Sequence, residues 1–223
     1  MIGRNRDAAI ALGVAVVLLG GLTLVRHDGA RLRPYLEVTA VLVTLTWLAD
    51  RAAHFSRAMV AALTSVMIIH LIGGLMTPVA GAATFYETWL IHGVLKFDQL
   101  AHAYGSGVLT FACARLVVGL LGRPKPHPWG LALVAALMAC GLGGLNELAE
   151  FLFGLSNSHL HAGGLENTGW DLAFNLVGAV IAASWMVLLA PHPDQVDDEH
   201  QRLVRPDHTA GTLAAVRQLG RDR

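Results

Sequence analysis

Three pairs of ionisable or amide side chains stand at the ends of apolar runs: Asp98 with His102, Glu147 with Glu150, and Asp171 with Asn175. Their spacings are i,i+4, i,i+3 and i,i+4, so each pair presents one face of a helix. A charged side chain inside a bilayer costs at least about 2.5 kcal/mol, so such residues usually face a bundle interior, pair with one another or serve a site. Carboxylates suit hard cations, and a histidine among them extends the choice to zinc, iron or manganese. Helical bundles build carboxylate metal centres from facing helices, often with a Glu-x-x-His pair. The candidate ligand set for a divalent metal is therefore Asp98, His102, Glu147, Glu150 and Asp171, supported by His70, Asn167 and Asn175. Glu147 and Glu150 are the candidate general bases of a metal-dependent reaction. The same residues admit two other readings. One is a structural network in which His70 or His102 is satisfied by a carboxylate, in a scaffold or partner-binding protein. The other is a small carrier or proton relay, which the near absence of acids in the opposite half of the apolar runs disfavours.

The elements that must position these groups are membrane helices. Of 223 residues, 54% are hydrophobic and 14% charged, and the mean hydropathy is +0.53, outside the range of soluble domains. The expected fold is all-α: a polytopic bundle of about six transmembrane helices. Apolar windows of roughly 20 residues place the spans at 8–25, 35–50, 58–79, 98–121, 130–153 and 170–190. The second is short, with Glu37 near its start, and Asp50, Arg51 and Arg57 could snorkel to extend it. Residues 1–190 thus form the transmembrane domain and residues 191–223 a polar, mobile cytoplasmic tail, with a short helix near 210–219. The first run follows Arg4 and Arg6 but has no small-x-small cleavage pattern before Arg26-His27-Asp28, which favours an uncleaved helix. Formal net charge is zero, so no basic field invites nucleic acid. Cys113 and Cys140 fall inside spans and read as small hydrophobes.

Six spans put both termini on the side of the connections near 51–57 and 122–128. That side carries Arg4, Arg6, Arg51, Arg57, Arg123, Lys125, Arg202 and Arg205, eight cations against four (Arg26, Arg31, Arg33 and Lys96) on the other. The bias favours cytoplasmic termini. The third span then runs outward and puts His70 about 18 Å from its inner end, and the fifth reaches Glu147 and Glu150 about 25–30 Å along. The fourth and sixth spans begin outside with Asp98/His102 and Asp171/Asn175. Four helices deliver polar groups to the same outer depth.

Gly141-Leu142-Gly143-Gly144 precedes the glutamates and Gly73-Gly74 follows His70. Small residues let helices approach closely in lipid, and the same glycines could open room for a ligand. The loop from His159 through His161 to Thr168 is polar and glycine-rich, with His-x-His spacing but the composition of a solvated loop. Asn167 or Thr168 could cap the sixth helix and leave Asp171 in its first turn. Arg115 lies several turns from the cluster. The chain has no P-loop, Rossmann glycine pattern, serine elbow or HExxH.

His70-Leu71-Ile72-Gly73-Gly74, Phe97-Asp98-Gln99 with Ala101-His102-Ala103, Glu147-Leu148-Ala149-Glu150, Asn167-Thr168-Gly169-Trp170-Asp171 and Gly178-Ala179 occur in that order. The set resembles the YjdF-like family of six-span bacterial inner-membrane proteins, and more distantly the VanZ-like proteins linked to glycopeptide-antibiotic resistance. The likeness covers roughly residues 60–185. Gln99 stands where that family tends to have arginine, Asn167 where it tends to have aspartate, and the usual Gly-Thr-Gln-Gly-Asp run is missing before Asn167. The resemblance implies a bacterial cytoplasmic membrane and a single site containing Asp98, His102, Glu147, Glu150 and Asp171; it carries no reaction. The expectation is an integral membrane protein with an outward-facing acid/His site, acting as a metal-dependent hydrolase or transferase on a lipid-linked or envelope substrate.

Overall fold

Long apolar stretches that can satisfy their backbone only internally fold here, as lipid demands, into helices. The computed structural model describes residues 5–26, 29–77, 84–121, 127–156 and 164–190. Among them are six long helices: α1 (Arg6–Val25), α2 (Gly29–Ala53), α3 (Arg57–Leu75), α4 (Phe97–Leu121), α5 (Pro128–Ser156) and α6 (Gly164–Leu188). Between α3 and α4 lie a 3-10 turn (Phe85–Glu87) and a hairpin of β1 (Trp89–Ile91) and β2 (Leu95–Lys96). Five helices are long and apolar enough to cross a membrane, and α2 is the exception. The chain is a helical membrane bundle. The expected tail of 191–223, the helix near 210–219 and the His159–His161 pair lie outside the described residues.

The structure corrects several boundaries. α2 has 25 residues against an expected span of 35–50, about 37 Å of helix. It runs the length of the bundle. Near its start, Tyr35 packs on Gly74 at the end of α3, and at its own end Ala52 and Ala53 lie against Gly119 at the end of α4. Hydropathy hides this extent because Arg33 and Glu37 fall within the helix, where they form an i,i+4 pair at 2.8 Å. Asp50 does not snorkel to an interface. It is buried, and its Oδ1 accepts from the Phe55 backbone N–H at 2.7 Å, closing the α2–α3 corner. Ser56 then caps α3 by accepting from the Met59 N–H at 3.2 Å. α6 begins at Gly164, more than a turn earlier than expected, so Asn167 and Thr168 lie inside the helix and do not cap it.

Hydroxyls within the helices satisfy themselves locally. Thr23, Thr39, Thr44 and Thr110 each donate to the carbonyl four residues back, at 2.7–2.9 Å. Close packing uses small residues. A Cβ on Gly178 of α6 would fall 1.9 Å from the Ala103 carbonyl oxygen of α4, so these two backbones touch. Cys113 packs with Ala114 and Ala135 in the α4–α5 seam, and both it and Cys140 are free thiols.

Candidate acid and histidine centre

The contact of Gly178 with Ala103 presses the first turns of α4 against the middle of α6, and α5 closes the third side. Each helix then contributes from the face that its spacing defines. Around His102 Nε2 stand Asp98 Oδ1 at 3.4 Å, Glu147 Oε1 at 3.6 Å and Asp171 Oδ1 at 3.8 Å. Glu147 and Asp171 retain only 5% and 1% of their surface. The two oxygens they turn towards His102 are buried and have no hydrogen-bond partner. Three carboxylates thus face one imidazole, which even when protonated offsets one charge of three. Uncompensated, that imbalance is costly away from water.

The outer carboxylate oxygens are held separately. Asn167 Nδ2 donates to Asp171 Oδ2 at 2.5 Å and reaches Asp98 Oδ2 at 3.4 Å, tying α6 to α4. Asn146 Nδ2 donates to Glu150 Oε1 at 2.8 Å. Glu150 is exposed, unlike Glu147, although ligand atoms of His102, Glu147 and Glu150 lie within 4.8 Å of one another. Asp98, His102 and Asp171 form a second such group. The two glutamates, three residues apart, therefore occupy different environments.

The supporting residues separate in the same way. Asn167 belongs to the centre. Asn175 is buried against Gly143, with its Nδ2 lacking a partner, one turn deeper than Asp171. His70 is outside both ligand groups. The Tyr86 hydroxyl donates to the His70 carbonyl at 3.3 Å and lies 3.0 Å from Nδ1. With its proton used there, the phenol oxygen can accept from Nδ1–H, and Nε2 is buried without a hydrogen-bond partner. Burial foremost, then Tyr35 and the acids Asp98, Glu150 and Asp171, push the Tyr86 phenol well above its ordinary range, so it remains a hydroxyl.

Tyr35, Tyr86 and Asn146 were missed by the sequence reading. Only Asn146 had a signal, its i,i+4 spacing to Glu150. The space left by Gly73 and Gly74 is taken by the Tyr86 and Tyr35 rings, so it is not room for a ligand. Gln99 is buried and accepts from the Lys96 N–H at 2.9 Å, fixing the start of α4. Arg115 is exposed on α4, more than three turns from His102.

No curated protein and no solved structure matches the chain. One family model matches residues 8–191, and the chain belongs to that family, described as predicted membrane protein (DUF2238).

Proposed function

We propose that the His102-centred cluster binds a divalent cation and that the protein is a metal-dependent hydrolase or transferase acting on a lipid-linked or envelope substrate. The observation that carries this reading is the spacing of the four inward atoms. Separations of 3.4–3.8 Å from His102 Nε2 are too long for good hydrogen bonds. Along the three edges that meet at His102 Nε2 they approach the ligand–ligand edge of roughly 3.4 Å of a tetrahedral site with metal–ligand bonds of about 2.1 Å. The partnerless oxygens of Glu147 and Asp171 support it further.

In this reading Asp98, His102 and Asp171, whose ligand atoms lie within 4.8 Å of one another, hold the cation together with Glu147, 3.6 Å from His102 Nε2, and Asn167 orients the two aspartates through their outer oxygens. A bound cation would polarise an ester or activate water. Glu150, with one oxygen tied to Asn146, has its second oxygen left to accept a proton as general base. Its exposed position on α5 is flanked by exposed Leu148, Phe151 and Leu152, with exposed Trp170 on α6. Such a rim faces lipid in a membrane, which favours a substrate that arrives laterally. The eight-to-four cation bias and the full-length α2 support six crossings of a bacterial cytoplasmic membrane with cytoplasmic termini. The likeness to the YjdF-like and, more distantly, the VanZ-like proteins belongs to this proposal and names no reaction.

Elemental analysis of the detergent-purified protein is the test. About one divalent cation per chain is expected, with background content in Glu147→Gln and an unchanged helical spectrum. Wild-type stoichiometry near zero, with Glu147→Gln as stable or stabler, would leave the cluster a structural network and end the metal reading.

A further inference from the structure

Thr88-Trp89-Leu90-Ile91-His92-Gly93-Val94-Leu95-Lys96 folds back on itself between α3 and α4, with Trp89 opposite Lys96 and Gly93 taking φ +71° at the turn. Successive strand residues point to opposite faces of a ribbon. A hairpin resting on a protein core would therefore hide one face and show a polar one. Here Trp89, Leu90 and Ile91 are all exposed, and Val94 is 69% exposed. Both faces of β1 and the turn are open, while Leu95 and Lys96 of β2 are half-buried at the root. A two-stranded hairpin is marginal in water at best, and one with apolar residues on both faces has no aqueous compensation.

The root, by contrast, is fixed. The Phe97 N–H donates to the Thr88 carbonyl at 2.9 Å, the Phe85 and Phe97 rings meet edge-on at 4.7 Å, and Tyr86 seats on Gly73. The hairpin thus leaves the bundle at the end where α3 stops and α4 begins. Exposed Leu100 and Tyr104 continue its apolar surface onto the lipid-facing side of α4. The Lys96 ammonium lies 5.2 Å from the centre of the Trp89 ring. Tryptophan beside a cation is the composition of the headgroup zone, where an amphipathic ring and a charge are both satisfied.

The geometry points to a membrane-interface anchor: residues 89–94 bed into the headgroup region of the bilayer and hold the mouth of the Asp98/His102 cluster at headgroup depth. Lys96 is two residues from Asp98, so anchoring the ribbon fixes the height of the cluster. The inference is independent of any bound cation.

Trp89 fluorescence tests it, with Trp47, Trp129, Trp170 and Trp185 replaced by Phe and the full chain in phosphatidylcholine vesicles. Lipid brominated near the acyl-chain carboxyl end is expected to quench Trp89 several-fold more than lipid brominated at the chain end, with iodide quenching several-fold weaker than for free tryptophan. Iodide quenching at the level of free tryptophan would overturn the anchor, as would insensitivity to both lipid and iodide, which would mean a protein cover. If the four-fold replacement fails to fold, a nitroxide on Val94→Cys gives the same decision. Collision with oxygen should exceed collision with a water-soluble nickel chelate; the reverse order would overturn the proposal.

Discussion

Asn167 shows how much of the centre rests on an uncharged side chain. One amide nitrogen reaches the outer oxygens of Asp98 and Asp171, which leaves the inner oxygen of each turned to His102. Partners of this kind typically contribute 10–100-fold to metal affinity by fixing the orientation of the ligands. Asn167→Ala is expected to weaken cation binding by about that factor, measured by competition with a chelator, with the fold intact. Unchanged affinity would make Asn167 a bystander. A separate prediction concerns His70. Tyr86→Phe removes the oxygen 3.0 Å from Nδ1, so the imidazole loses the contact expected to hold Nδ1–H. Nitrogen-15 spectra of histidine-labelled protein should show Nδ1–H with bare Nε2 in the wild type and a mixture in the variant. A wild-type Nε2–H signal at His70 would refute the assignment.

At the scale of elements, the α4–α6 crossing decides whether the centre exists. Asp98 and His102 ride on one helix, Asn167 and Asp171 on the other, and the helices meet where Gly178 touches the Ala103 carbonyl. The obstacle to a side chain there is backbone, which cannot rotate aside. Gly178→Ala is expected to destabilise by about 1–3 kcal/mol through overpacking, and to lower cation content by moving the two ligand pairs apart. Gly141→Ala is the control, since a Cβ there meets nothing within 4 Å. It should stay within about 0.5 kcal/mol of wild type. Thermal unfolding in detergent reads both, and equal shifts would show that the crossing has slack.

For the whole molecule, orientation in the membrane is the property that the proposed function most needs. His92 stands exposed in the hairpin and His127 exposed before α5, at opposite ends of α4. With Cys113 and Cys140 replaced by alanine, His92→Cys should react with a membrane-impermeant maleimide in intact cells, and His127→Cys only after permeabilisation. The opposite pattern would invert the topology and turn the acid cluster to the cytoplasm.

Hydrophobic runs and i,i+3 or i,i+4 spacing are local properties, and they were enough to locate α1, α3, α4 and α5 closely and α6 apart from its first six residues. They also selected Asp98, His102, Glu147, Glu150 and Asp171 as groups at one depth, because span direction and 1.5 Å per residue fix height along a helix. The length of α2 was not legible, because Pro34 and the Arg33–Glu37 pair lower hydropathy where neighbouring helices still hold the segment in the bundle. Sequence spacing also could not separate buried Glu147 from exposed Glu150, or show that tyrosines fill the space over Gly73 and Gly74. Those outcomes depend on how far each helix is rotated about its axis. That rotation is set by contacts between residues distant in sequence, such as Gly143 of α5 on Asn175 of α6 and the tyrosine rings on Gly73 and Gly74 of α3, and only the packed bundle brings them together.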